Sequence, residues 1–197
     1  YSGSPAFRSP AALADGLAQL GFDLMLTANN HCLDRGYDGL VSTLDALDGA
    51  GLAHVGTSRT AEEAAEPIYV ADVGGISVAF LGYTYGTNGI PLPAGREYAV
   101  NLFNTDYLTT LSTPDVSRLE ADLAAARALD TDLIAVLVHW GVEYRTAQNA
   151  YQEELADLLI ANGADLVLGG HSHVPQPLEE RRVPGWDGSE RTGFVCY

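Results

Sequence analysis

Three apolar runs constrain this chain more than any other feature of it. "FDLMLTAN" (22–29), "TDLIAVLVHW" (131–140) and "ADLVLGG" (164–170) place apolar side chains on successive positions, the pattern of strands buried on both faces. Helical spacing separates them. "PAALADGLAQLG" is closed by Gly21, "YDGLVSTLDALDGAG" (37–51) carries Leu40, Leu44 and Leu47 on one face, and "QNAYQEELADLLIANG" (148–163) stops at Gly163. "PDVSRLEADLAAARALD" is a fourth helix; Ser9–Pro10 and Thr113–Pro114 read as the N-cap and first residue of the helices they precede. "LAHVGT" (52–57) and "TGFVCY" read as short strands, and "PIYVADVGGISVAFLGYT" (67–84) as a hairpin turning at Gly74–Gly75. Strands alternating with helices predict an α/β fold with its sheet covered on both faces. Residues 85–113 have no period and read as a loop or lid within one domain of 197 residues, long enough to bury a core without staples.

The same three runs end in polar clusters: "ANNHCLD" (28–34), "HWGVEY" (139–144) and "GGHSH" (169–173). Four of the five histidines lie in them. Ligands of open α/β folds gather beyond the carboxyl ends of strands, so the clusters are expected to share one mouth. In extended chain, residues two apart point to one side, which would bring His171 and His173 to a common site, with Gly169 and Gly170 allowing a sharp turn and close backbone approach. Neutral imidazole suits transition metals, and Asn30 can add an amide oxygen to His139, His171 and His173. "NNH" also fits turn chemistry. Asp34 and Glu143 follow candidate ligands by three or four residues, where a carboxylate can orient an imidazole; Glu179 is a further acidic candidate. His54 lies inside a short strand and reads as a hydrogen-bonded structural histidine. Cys32 and Cys196 fit either a disulfide or two separate small apolar groups. The net charge of −16, with every basic residue an arginine, excludes electrostatic capture of nucleic acid or an anionic membrane and favours cations. No apolar run reaches the length of a membrane-spanning helix, and no targeting signal is visible.

The long segments "FRSPAALADGLAQLGFDLMLTANNHCLDRGYDGLVSTLDALDGAGLAHVGT" and "VLVHWGVEYRTAQNAYQEELADLLIANGADLVLGGHSHVPQPLE" resemble the CapA family of bacterial capsule synthesis proteins, associated with poly-gamma-glutamate capsules and similar to calcineurin-like metallophosphoesterases. The resemblance covers nearly the whole chain, with 85–113 least matched. It implies a four-layer αββα sandwich with a two-metal centre and a metal-dependent hydrolase (Mn, Zn or Fe) acting on a phosphoester or a poly-gamma-glutamate-related substrate. Asn30, His139 and His171 resemble ligands of one metal and His173 a ligand of the other. His31 resembles the acid that meets the leaving group, with Asp34 and Glu143 at nearby family positions. The family's earlier motifs, an aspartate after the first strand and an "N-L-E" segment, have no counterpart; "NLF" at 101–103 lacks the carboxylate. The expectation is therefore a domain truncated before Tyr1, without its opening strands and bridging carboxylate. The resemblance further implies an extracytoplasmic, cell-envelope location, an anionic polymer or phosphate-containing substrate, and a capsule-synthesis membrane complex as partner. A non-catalytic role in capsule assembly or export, and a phosphoesterase for small phosphate esters, are the alternatives. Because the acidic surface repels a polyanion, a metal or arginines such as Arg145, Arg181 and Arg182 would have to attract it.

Overall fold

A computed structural model describes residues 2–197. In chain order the elements are α1 (Ala12–Gln19), β1 (Leu24–Leu26), α2 (Gly36–Gly49), β2 (Ala53–Val55), α3 (Ala61–Ala64), β3 (Tyr69–Val73), β4 (Ile76–Thr84), α4 (Val116–Arg127), β5 (Leu133–His139), α5 (Ala150–Ala161), β6 (Leu166–Gly170), β7 (Leu178–Pro184) and β8 (Glu190–Cys196). Six strands form one sheet in the order β3-β4-β5-β6-β8-β7, and β1 and β2 form a separate two-stranded parallel sheet. The mixed α/β class expected from the alternating runs is the observed one. Within the large sheet β4, β5, β6 and β8 are parallel, and antiparallel β3 and β7 close the two edges.

The pleat sorts the strand residues between two environments. Ala79, Leu81 and Tyr83 of β4, Ile134, Val136 and Val138 of β5, Val167 of β6 and Val195 of β8 share a core with Leu119, Leu123 and Ala126 of α4 and Leu155, Leu159 and Ile160 of α5. Each fully buried Leu or Ile of that set contributes about 1.5–3 kcal/mol. The alternate residues of β4 face the β1–β2 pair. A side chain on Gly82 would lie 2.6 Å from Leu26 Cδ1 and 3.0 Å from Val55 Cγ2, so this glycine lets the small sheet rest on the large one. Ala14 of α1 and Leu47 of α2, with Leu52, pack around Met25 of β1. His139 ends β5 on the face that meets β1 and β2, because it continues the alternation opposite to Val138.

Several local expectations needed correction. No side chain caps α1: its N-cap is Ala11, and the carbonyls of Pro10 and Ala11 accept the first amides, leaving Ser9 outside. Helix α4 starts two residues later than Thr113–Pro114 implies, capped by Asp115, whose carboxylate accepts from the Arg118 amide at 3.2 Å. Helix α5 opens with a reciprocal Asn149–Gln152 capping box. The strand at 22–29 shortens to three residues. Strand β7 has no apolar signature, because its "LEERRVP" carries four charged residues in succession: Arg181 turns inward to Asp157 of α5, at 2.7 and 2.9 Å. The segment 85–113 is irregular, yet residues 99–104 are buried and bridge to Thr57, Thr84 and Pro114, so that part belongs to the core. Cys32 and Cys196 are free thiols, both half-buried, and desolvation pushes the Cys32 thiol up to about 12. No helix among the described residues is long and apolar enough to cross a membrane.

Candidate metal centre

The chain after β1 is shaped by Asn29, not Asn30. The Asn29 side chain accepts from the His31 amide at 2.8 Å and donates to the Thr27 carbonyl at 3.2 Å, forming an Asx turn. Leu33, buried in the cluster with Leu40 and Leu44, anchors the following turn. Turn chemistry and site chemistry are thus divided between neighbours, and Asn30 is left free to face the end of β5. There His139 Nε2 donates to Asn30 Oδ1 at 2.9 Å.

His139 is surrounded by aromatic rings. His171 lies 4.7 Å away, centroid to centroid, and Tyr85, just past β4, stacks parallel to His139 at 6.2 Å and meets His171 tilted by 45° at 4.9 Å. His173 lies 6.0 Å from His171 and stacks with Tyr144 at 5.6 Å. One ligand atom from each of Glu143, His171 and His173 falls within 4.8 Å of the others, with His173 Nε2 3.8 Å from Glu143 Oε1. His171 Nδ1 is buried and has no hydrogen-bond partner among the described residues.

The route by which His171 and His173 meet differs from the expected one. They do not sit on extended chain: both adopt positive φ, 100° and 59°. These are costly conformations for residues with a side chain. Gly170 has open space around it, so the turn is made by His171 itself. Gly169 serves close approach alone, since a Cβ there would fall 2.4 Å from Trp140 Nε1 and 2.8 Å from the Cys196 carbonyl.

His31 is oriented from two sides. Its Nδ1 is 2.8 Å from Asp34 Oδ2, and the Phe7 ring meets it edge-on at 4.6 Å. The same Asp34 oxygen accepts from the Phe7 amide at 2.8 Å. Asn88 Nδ2 lies beside the ring, 3.4 Å from Nδ1 and 3.5 Å from Nε2.

The electrostatics favour uncharged imidazole. Burial, reinforced by His171, His173 and His31, pushes His139 down to about 3. Burial also lowers His171, although Glu143 opposes the shift. Uncharged rings with available lone pairs, an amide oxygen and one carboxylate form a donor set suited to a borderline divalent cation.

Asn30, His139, Glu143, His171 and His173 converge, with His31 and Asp34 beside them. Glu179 is elsewhere, accepting from Arg181 at 2.6 Å and Tyr197 at 2.7 Å on β7. His54 bonds Asp48 at 3.1 Å, as a structural histidine should. Arg181 and Arg182 are engaged with Asp157, Glu179 and Glu180, so they are not spare attractors for an anion. Tyr85, Phe7 and Asn88 also border the site; the sequence marks the last only by the left-handed turn signature of "TNG", and the other two by nothing local.

A buried glutamine pair braces the two histidine loops. Gln152 Nε2 donates to Gln176 Oε1 at 3.0 Å, and Gln176 Nε2 donates to the carbonyls of Arg145 and Ala147 at 2.9 and 3.1 Å. The Tyr144 amide adds a bond to the Ser172 carbonyl at 2.8 Å. Gln176→Ala strands these buried partners and is expected to lower unfolding free energy by about 1–3 kcal/mol. Urea unfolding checks this, with the exposed Arg145→Ala as the control expected to change little.

The family model described as bacterial capsule synthesis protein PGA_cap matches residues 1–197. Similar curated proteins include the PGA biosynthesis protein CapA of Bacillus subtilis (strain 168), 28% identical over 83% of this chain and 40% of that protein. The capsule biosynthesis protein CapA of Bacillus anthracis is 29% identical, over 82% of this chain and 37% of that protein. A probable polyglutamine synthesis accessory protein of Mycobacterium tuberculosis (strain CDC 1551 / Oshkosh) is 33% identical over 77% of this chain and 40% of that protein. The chain spans about two-fifths of the length of these relatives.

Proposed function

The chain belongs to the bacterial capsule synthesis protein family PGA_cap, and from that premise we propose that it carries the metal centre of a CapA-type hydrolase. The observation that supports this most is the convergence of Asn30, His139 and His171 from three separate strand ends, with His171 Nδ1 buried and unpartnered among the described residues. In this reading those three residues hold one divalent cation of the Mn, Zn or Fe type, and His173 with Glu143 supports a second, weaker position. Neutral ligands do not offset repulsion between two cations, and Glu143 is the one carboxylate in the gathered set. One tightly held ion per chain is the expected load. A bound divalent cation supplies Lewis acidity toward a phosphoryl or acyl oxygen.

The protein's own groups do the rest. Asp34 fixes the proton of His31 on Nδ1, which leaves Nε2 to hold or pass a proton at the leaving group. The substrate is a phosphoester or a poly-gamma-glutamate-related anion, and the working location is the cell envelope, beside a capsule-synthesis membrane complex. The same reading takes β1–β2 as part of the second sheet of a four-layer αββα sandwich, since helices lie beyond it as well as beyond the large sheet.

Metal analysis after equilibration with Mn(II), Zn(II) or Fe(II), followed by turnover assays on phosphodiesters, phosphomonoesters and poly-gamma-glutamate, tests the proposal. Tight binding of an ion with turnover supports it. Failure to retain any of the three ions overturns the metal reading; retention without turnover on any substrate moves the function to a non-catalytic part in capsule assembly.

A further inference from the structure

Asn88 stands in the irregular segment after β4, at φ 51°. It accepts from Asn30 Nδ2 through its Oδ1 at 3.1 Å, while its own Nδ2 lies 3.4 and 3.5 Å from the two ring nitrogens of His31. An asparagine amide can present either its oxygen or its nitrogen to a neighbour, and only the oxygen can coordinate a cation. By accepting from the Asn30 nitrogen, Asn88 fixes which end faces the site. The Asn30 oxygen is thereby left on the side of His139 Nε2, 2.9 Å away. Two further features fit a side chain placed for this purpose. A left-handed conformation is one that asparagine tolerates better than most residues. The turn that carries it is closed by the Thr87 hydroxyl, which donates to the Ile90 carbonyl at 2.5 Å, and by the Ile90 amide, which donates to the Thr87 carbonyl at 3.0 Å.

We infer that Asn88 is a positioning residue that holds the Asn30 amide oxygen toward the histidine cluster and so pre-sets it as a ligand. The inference rests on the proposed metal centre. It adds a residue from the 85–113 segment to that centre and makes the turn after β4 part of its construction.

Asn88→Gly removes the amide while keeping a residue at ease in left-handed backbone; Asn88→Asp keeps an oxygen that can accept from Asn30. Two measurements separate the inference from the reading beneath it. In the metal-free chain, the side-chain amide signals of Asn30 are followed by nitrogen-resolved NMR. Asn88→Gly is expected to shift them and speed their hydrogen exchange, and Asn88→Asp to leave them near the wild-type position. With Co(II) as the probe, Asn88→Gly is expected to weaken binding by about 10–100-fold, the range for groups behind a ligand, and to alter the visible bands, with Asn88→Asp recovering most of both. Unchanged Asn30 signals in Asn88→Gly overturn the inference, as does an Asn88→Gly chain that binds Co(II) like wild type with the same spectrum. A wild-type chain that fails to bind Co(II) defeats the metal reading, while the NMR arm still decides whether Asn88 orients Asn30.

Discussion

His31→Asn is expected to lower kcat by about 10²–10⁴-fold and to leave metal content unchanged. Two neighbours hold the ring. Asp34 Oδ2, 2.8 Å from Nδ1, and the Phe7 ring on its flank hold the imidazole in one orientation. Asparagine matches much of the shape and polarity but cannot exchange a proton near neutral pH. His31 also lies outside the tightest group of rings: it is tied to the centre through Asn88 and not through a bond to His139 or His171. Metal analysis alongside kcat, in a preparation with measurable turnover, separates the roles. Loss of the ion in His31→Asn would reassign this histidine to coordination.

His171→Ala is expected to weaken cation binding by at least about 100-fold, beyond the 10–100-fold typical of groups behind a ligand, with the fold intact. His171 sits between His139 and His173 and against Tyr85, yet its ring makes no hydrogen bond to the described residues. Its removal therefore strands no partner. The backbone is informative too: at φ 100° a histidine is strained, and alanine at the same place keeps the strain. His171→Gly should lose the same metal affinity while raising the melting temperature of the metal-free chain. Calorimetric titration and thermal unfolding of both variants check the pair of outcomes. Wild-type affinity in either variant would remove His171 from the centre.

The parts of this molecule that could be read in advance are those set by local chemistry. Strands β5 and β6 and helix α5 between them are legible because an apolar run of strand length and a 3.6-residue stripe each have few alternatives, and the polar residues at strand ends follow from where α/β sheets place their openings. Strand β7 was not legible, because its inward side chain is an arginine whose burial depends on Asp157, 24 residues earlier. Asn88 escaped for a related reason: its partner Asn30 is 58 positions away, and nothing local to "TNG" specifies it. The geometry of "HSH" departs from the extended one expected because period-two logic assumes ladder hydrogen bonds, and beyond Gly170 the strand has ended.

The centre draws its donors from two separately packed regions. Asn30 belongs to the part built on Leu33, Leu40 and Leu44, whereas His139 and His171 are carried by the large sheet and its α4–α5 core. The ion proposed for the centre, held by both, would act as a tie across the seam between them, and ion concentration would then become a variable of folding. A cation that binds only when the two regions are docked stabilises the docked form by about 2.7 kcal/mol at a hundred times its dissociation constant. Scarcity of the ion would loosen the seam before it unfolds either region. Occupancy of the proposed centre and the lifetime of the fold would then depend on one quantity, the supply of that ion.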